Sequence, residues 1–444
     1  RRALPFQADP EYLRKRVTET LGRLYAVHWP FHQYRTARGI RKSPFYDRLA
    51  GRGACFGEAQ GWERPNWYAP EGVKPEYVYS FSRQNWFDHS AAEHRAVREN
   101  VGLFDQTSFA KFRLQGPGAE EVLNQVSAND VAVEPGRIVY TQWLNERGGI
   151  EADLTVTREA EDRYLIVTGA ASQVRDFHWL ARHIPEGLDA QLTDVTETLA
   201  VLGVMGPKAR DLLQGLTNED LSNGAFPFGA SREIETGGGK IRASRISYVG
   251  ELGWELYIPT KAATGVFDAV AQAGEAHGLV PAGMHAMQSL RIEKAYRAWG
   301  HDIGDQDTVL EAGLGFAVAW DKAGGFIGRD ALLRQRQKGL SCRSLTFLLY
   351  FITQSLQISL WIWVLSACTI CPGGNLHSPT RYTKSERWNL IRCIAFWSLA
   401  SLFGITSIFT AIGGTIMQLV GVYRNCLCAL PVWYWRGRFE DDSP

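Results

Sequence analysis

Two carboxylates in this chain stand where the local backbone could turn them to chemistry. Asp153 lies in NERGGIEADLTVT (residues 145–157), just past Gly148-Gly149, and Glu255 lies in SYVGELGWELY (247–257), seven residues after Tyr248. The glycine pair tolerates positive φ, so residues 146–149 are turn chemistry. Residues 140–144 and 154–157 have the β-branched and aromatic composition of strands. A hairpin is expected, with Asp153 where its second strand begins. A carboxylate there is either a solvated strand-end group or the charged group of a binding cleft. Tyr248 and Glu255 cannot share one face of a single strand, because the side-chain period is two. Gly250 and Gly253 break that run into a turn, so the two can converge from adjoining strands. The alternative is that Glu255, flanked by core Trp254 and Leu256, is a solvated strand residue. Arg291 and Glu293 fall on a predicted helix, where positions i and i+2 point apart and form no mutual salt bridge.

Other chemistry-bearing patterns lead nowhere. Cys368-Thr-Ile-Cys371 and Cys426-Leu-Cys428 have no complementary Cys/His set at finger-like spacing, and His285 and His301 have no partners at ligand spacing. Those histidines read as structural, and no metal site is expected. GGGK at 237–240 lacks Walker spacing and reads as a hairpin turn, and no G-x-G-x-x-G follows an N-terminal strand.

The elements that must position these residues are mixed. Helical spacing runs over 11–24, 90–101, 117–126, 207–216, 262–277 and 284–298. Strand-like runs cover 111–114, 138–144, 163–167, 199–204, 240–249 and 254–258. Helices mixed with antiparallel hairpins predict an α+β class. At 444 residues there is room for two or three domains. With 48 basic and 47 acidic residues, net charge +1, nothing draws the chain to nucleic acid or to an anionic surface. Cys55 stands alone in the first 341 residues, which suits a reducing compartment. Trp62 and Trp67 are expected in core or interface packing.

The C-terminal stretch differs. Residues 344–380 and 393–423 contain no Asp, Glu, Lys or Arg, and each holds a run long enough to cross a bilayer. Possible membrane association through 344–423 is therefore one expectation. A tail foreign to the rest of the chain is the other, and CRSLTFLL also reads as a strand.

The blocks HWPFHQYRTARGIRKSPFYDRL, GACFGEAQGWERPNWYAP, SAAEHRAVRENVGLFDQTSFAKF and GRIVYTQWLNERGGIEADLTVT resemble the C-terminal half of dimethylglycine and sarcosine dehydrogenases. VLGVMGPKARDLL, FPFGASREIE, RISYVGELGWELYIP and LRIEKAYRAWGHDI continue the resemblance in the same order, over roughly residues 5–340. It implies an aminomethyltransferase-like, tetrahydrofolate-binding core at 86–340, a partial oxidoreductase linker domain at 1–85, and a hydrophobic tail at 341–444. It implies that Asp153 faces the pterin as the catalytic carboxylate. Glu255 would hold the aminopyrimidine ring through two parallel N–H donors, with Tyr248 in the same pocket. Thr155 and Val167 are expected to line the channel, and Arg291 is the candidate for folate's glutamyl tail. Glycine-cleavage relatives carry a further arginine four residues earlier, where this chain has Met287.

The implied reaction passes a one-carbon unit from an N-methyl amine to tetrahydrofolate, giving 5,10-methylene-tetrahydrofolate, in the mitochondrial matrix or a bacterial cytoplasm. FAD would act only through an N-terminal FAD-binding domain or subunit that this sequence lacks. The family's small C-terminal β-barrel also has no counterpart after KGL. The alternative is a non-catalytic regulatory protein of the same architecture, similar to the pyruvate dehydrogenase phosphatase regulatory subunit.

Overall fold

The computed structural model describes residues 4–339 and two short strands, Ser344–Phe347 and Leu365–Cys368. Helix α1 (Pro10–Gly22) precedes a small sheet of β1 (Arg41–Lys42), β2 (Ala54–Ala59) and β3 (Trp62–Tyr68), with α2 (Tyr46–Ala50) between β1 and β2. The chain continues through α3 (Phe87–Glu99), β4 (Val101–Asp105), β5 (Ala110–Gln115), α4 (Ala119–Val126), β6 (Ile138–Leu144), β7 (Ile150–Ala160), β8 (Arg163–Thr168), α5 (Gln173–Ala181), β9 (Gln191–Asp194) and β10 (Leu199–Met205). There follow α6 (Ala209–Gln214), β11 (Ser231–Thr236), β12 (Gly239–Ser244), β13 (Gly253–Pro259), α7 (Ala263–Gly274), β14 (Leu279–Pro281), α8 (Met284–Glu293) and α9 (Arg329–Lys338).

Two larger sheets result, one ordered β6-β7-β8-β5-β9 and the other β11-β12-β13-β10-β4-β14. All their pairings are antiparallel except β14 on β4. Each sheet is apolar on one face. Phe112, Leu114, Trp143, Leu154, Val156, Tyr164 and Ile166 bury themselves under α4 and α5, where Trp143 stacks on Trp179. Leu202, Val204, Trp254, Leu256 and Ile258 do the same under α6 and α7. Burying each of these side chains stabilises the fold by about 1.5–3 kcal/mol before entropy is counted.

Strand alternation then puts residues of opposite character on the other two faces. One carries Tyr140, Gln142, Asp153, Thr155, Lys111 and Val167, which sit opposite one another in the registers of β6, β7, β8 and β5. The other carries Glu255 and Tyr257, opposite Gly203 and Val201. These polar faces meet. Leu165, Val195, Val201 and Tyr257 form a small apolar cluster, with Val167 and Leu199 packed against it.

A buried ion cluster also ties the sheets. Glu159 on β7 is 4% exposed and accepts from Arg113 at 2.9 Å, Arg163 at 3.2 Å and, across the gap, Arg242 of β12 at 3.2 Å. Glu159→Ala would leave Arg242 to Glu233 alone and turn the partly exposed Arg113 and Arg163 to solvent. We expect it to lower unfolding stability by about 1 kcal/mol, read as an earlier urea midpoint with unchanged slope.

The expected hairpin forms, with its turn at Gly148 (φ +85°), although β7 starts at Ile150 and Asp153 lies within the strand, paired with Gln142. GGGK is the β11–β12 turn. Two elements end sooner than the sequence suggests. β12 stops at Ser244, so Tyr248 sits on the loop 245–252, where Gly250 adopts φ +74°. α8 stops at Glu293, because Ala295 takes φ +56°.

A separate unit comprises Leu310–Gly313 and the residues from Gln335 onward. In it β15 (Ser344–Phe347) pairs antiparallel with β16 (Leu365–Cys368), and the polar–apolar alternation of residues 344–347 has the period of a strand. Among the described residues no helix is long and apolar enough to cross a membrane. Apart from these two strands, which are not helix, the candidate spans at 345–370 and 393–423 lie outside the described residues.

Candidate functional site

The two carboxylates singled out by sequence are braced in the same way, one on each facing sheet. Asp153 accepts from Gln142 Nε2 at 2.9 Å, and the Tyr140 phenol lies close beside it. Glu255 accepts from the Tyr257 hydroxyl at 2.6 Å and from Gln106 Nε2 at 3.3 Å. Burial pushes Asp153 up to about 6, against the opposing effects of Gln142, Tyr140 and the nearby charge of Arg297. Burial also raises Glu255, partly offset by Tyr257, Gln106 and Lys111. Each acid is thus held in one rotamer while its charge is made costly, the condition in which a carboxylate can take up a proton or a cationic partner.

Gln106 Oε1 and Gln142 Oε1 are buried without a hydrogen-bond partner. An unmatched buried acceptor calls for an outside donor. Gly203, opposite Glu255, leaves Gln106 its place: a Cβ there would lie 2.5 Å from Gln106 Oε1. Gln106 and Met205, the neighbouring groups, can both move. Gly203→Ala is therefore expected to cost under about 1 kcal/mol in stability. It should weaken ligand binding about fivefold by displacing Gln106 from Glu255, a contrast that paired thermal and calorimetric measurements would read.

Tyr248 lies beside the first carboxylate. Burial raises it first, and the charges acting on it include Asp153, Arg291, Asp302 and Arg297. Its hydroxyl donates to the Arg297 carbonyl, and its ring stacks on Tyr296 at 6.0 Å. Thr155 pairs with Tyr140 on one side and Val167 on the other. Arg291 is placed differently from the reading that sent it to a ligand. It is 5% exposed, pairs with Asp302, and donates to Gln288 Oε1 at 2.8 Å and the Tyr296 carbonyl at 2.9 Å. It fastens the loop that carries Tyr296 and Arg297. Glu293 bonds Arg98 instead, at 2.9 Å. His285 stacks on Trp86 at 4.0 Å and bonds the Tyr77 hydroxyl at 2.9 Å, in an aromatic cluster where burial pushes it down to about 3.

Tyr140, Gln142, Gln106, Tyr257 and Lys111 were not foreseen. Tyr257, two residues from Glu255, was within reach of the strand period, and Gln142 follows from the hairpin register once the turn is fixed. Gln106, on a loop after β4, carries no sequence signal. Beside Tyr140 opens a cavity of about 300 Å³ lined by Asn129, Arg137, Ile138, Phe316 and others, where Phe316 stacks on the tyrosine. A larger cavity of about 770 Å³, lined among others by Glu151, Trp179, Arg182 and Arg329, includes neither carboxylate. No group of three or more His, Cys, Asp or Glu side chains suited to a metal occurs among the described residues.

Residues 45–322 match the GCVT N-terminal domain, and residues 1–43 match the FAD dependent oxidoreductase central domain. The chain belongs to the GCVT family. It resembles 4-methylaminobutanoate oxidase (formaldehyde-forming) of Paenarthrobacter nicotinovorans, 48% identical over 328 residues, 74% of this chain and 40% of that protein. It also resembles human mitochondrial sarcosine dehydrogenase, 36% identical over 378 residues, 76% of this chain and 41% of that protein. The chain thus spans about 40% of the length of these relatives, and what it shares with them is consistent with their C-terminal, GCVT-bearing half. Among solved structures it is similar to the glycine cleavage system aminomethyltransferase T of Bartonella henselae, with TM-score 0.58 and 28% identity over 69% of this chain and 77% of that one. That likeness places the two facing sheets in an aminomethyltransferase-like fold.

Proposed function

We propose that this GCVT chain is the tetrahydrofolate-binding module of an enzyme that oxidises an N-methyl amine, and that it gives 5,10-methylene-tetrahydrofolate. The observation that carries the reading is the pair of Gln- and Tyr-braced carboxylates on facing polar sheets, with two unmatched acceptors beside them. Those acceptors fit the ring and exocyclic N–H groups of a reduced pterin. Bound tetrahydrofolate supplies the nucleophilic nitrogens that receive the one-carbon unit.

Glu255 would hold the aminopyrimidine ring through parallel N–H donors, a strong charge-assisted arrangement. Asp153 would stand as the carboxylate that balances a cationic carbon–nitrogen species and accepts the proton its ring closure releases. Tyr248, Thr155 and Val167 form the walls, and Arg291 acts through the loop it secures. The cavity beside Tyr140 and Phe316 gives room for the aminobenzoyl ring. A regulatory reading leaves the two braced acids without a use.

An FAD-bearing domain or subunit is the proposed partner that generates the donor. Supporting this, residues 1–43 match an FAD-linked domain, and Val17, Leu21 and Leu24 leave apolar surface exposed in and just after α1. The mitochondrial matrix, or the cytoplasm for a bacterial chain, is the proposed location. Calorimetric titration of the chain with tetrahydrofolate tests the proposal: saturable one-to-one heat is expected, and its absence would sink the reading.

A further inference from the structure

A buried polar network runs from the N-terminal segment to the Glu255 end of the site. Ser43 Oγ donates to Asp105 Oδ2 at 2.5 Å, and Asp105 Oδ1 accepts the Thr107 backbone N–H at 3.0 Å. Lys111, wholly buried, donates from Nζ to the carbonyls of Thr107 at 2.7 Å and Phe109 at 2.9 Å. The turn they grip from both sides carries Gln106, the partner of Glu255.

Arg41 enters the same network from the other side. It donates to Gln173 Oε1 at 3.1 Å, and Gln173 donates to Asp194 Oδ2 at 2.8 Å. Asp194 Oδ1 takes the Thr196 N–H at 2.9 Å, and Thr196 Oγ1 accepts from the Lys111 backbone at 3.0 Å. Burying an ammonium and a carboxylate costs more than filling the space with apolar side chains, so the arrangement contributes geometry rather than stability.

We propose that Ser43, Asp105 and Lys111 are positioning residues through which the N-terminal segment sets the placement of Gln106, and hence of the Glu255 carboxylate. The proposal rests on the folate reading of Glu255. Gln106 reaches Glu255 through a long, weak bond, so a small shift of the turn releases it and leaves the acid with Tyr257 alone. The charged groups facing Lys111 are Asp105, Asp194, Glu255 and Arg41, and burial lowers it to about 7. Its charge in turn favours the ionised form of Glu255.

Ser43→Ala in the full chain removes one hydroxyl and little volume. Without ligand, hydrogen exchange of the Gln106–Phe109 amides is expected to quicken about tenfold. Tetrahydrofolate affinity should fall about fivefold in Ser43→Ala, but less than about twofold when Glu255→Gln is already present, because the two substitutions act on one group. Ser43→Thr, which keeps the hydroxyl, should restore both readouts. Lys111→Met, a second entry into the same network, should raise the pH below which binding is lost. Equal weakening on both backgrounds, unchanged exchange, or an unmoved pH midpoint would each overturn the proposal. If the unmodified chain fails to bind tetrahydrofolate, the folate reading falls, and the ligand-free exchange measurement still decides the relay.

Discussion

Asp153→Asn is expected to slow formation of 5,10-methylene-tetrahydrofolate by about 10²-fold or more, while tetrahydrofolate binding changes less than about threefold. Asparagine keeps the shape of the group and its acceptor for Gln142, so the ligand still meets the same wall. The variant loses the negative charge that the proposed reaction places opposite a cationic carbon–nitrogen centre, and the capacity to receive a proton. Both matter most in the transition state. The measurement pairs calorimetry with a transfer assay in which the flavin-dependent partner supplies the donor. Equal damage to binding and turnover would mean that Asp153 chiefly holds the ligand.

The same side chain predicts a pH dependence. Burial lifts Asp153 from 3.8 to about 6, so the ionised, working form is lost as pH falls through about 6. The kcat/KM of the unmodified protein should decline there, and the variant should lose that limb. Stability runs the other way. A raised folded pKa contributes stability below the unfolded value, and this is lost as pH rises from 3.8 through about 6. At neutral pH the charged acid is a cost. Asp153→Asn should therefore unfold later in urea by on the order of 1–2 kcal/mol, a figure reduced for the partly open face of the group. A variant that is more stable and less active is the expected signature of a functional acid.

What could be read from sequence tracks the range of the interaction. The Gly148-Gly149 hairpin, the GGGK turn and most strands are local, written in turn residues and a two-residue period. Sequence places Tyr248 on a strand because residues 246–249 have an extended pattern. The pairing with the β11 side ends at Arg245, and Gly250 turns the chain before β13. Sequence offers Arg291 to a ligand because its pairing with Asp302 forms only once the loop after α8 folds back. Gln106 was missed for the same reason. Its contact with Glu255 joins residues 149 apart in sequence, and no local pattern encodes it. The two acids are legible because glycines mark the turns beside them, and Gln142 follows from the hairpin register, but Gln106 carries no local signal.

Glu255→Ala is expected to invert the first result, weakening tetrahydrofolate binding by about 10- to 100-fold while the bound ligand still turns over within a few-fold of normal. In the proposed folate reading the carboxylate faces a part of the pterin remote from the reacting nitrogens. Its contribution is therefore equal in ground and transition states, and losing it falls on KM rather than kcat. The expected magnitude follows from two parallel bonds to a charged acceptor, each contributing about 1.5–3 kcal/mol and not fully additive. Alanine also leaves the Tyr257 hydroxyl and Gln106 Nε2 without their acceptor, so some destabilisation should accompany the affinity loss. Glu255→Gln separates the two effects. It refills the space and keeps an acceptor for Tyr257, so stability should recover while affinity stays about tenfold low for want of charge. If glutamine restores affinity fully, shape rather than charge holds the ring. If alanine reduces kcat as strongly as it raises KM, Glu255 stands near the reacting centre, and its assigned role beside Asp153 would have to be exchanged.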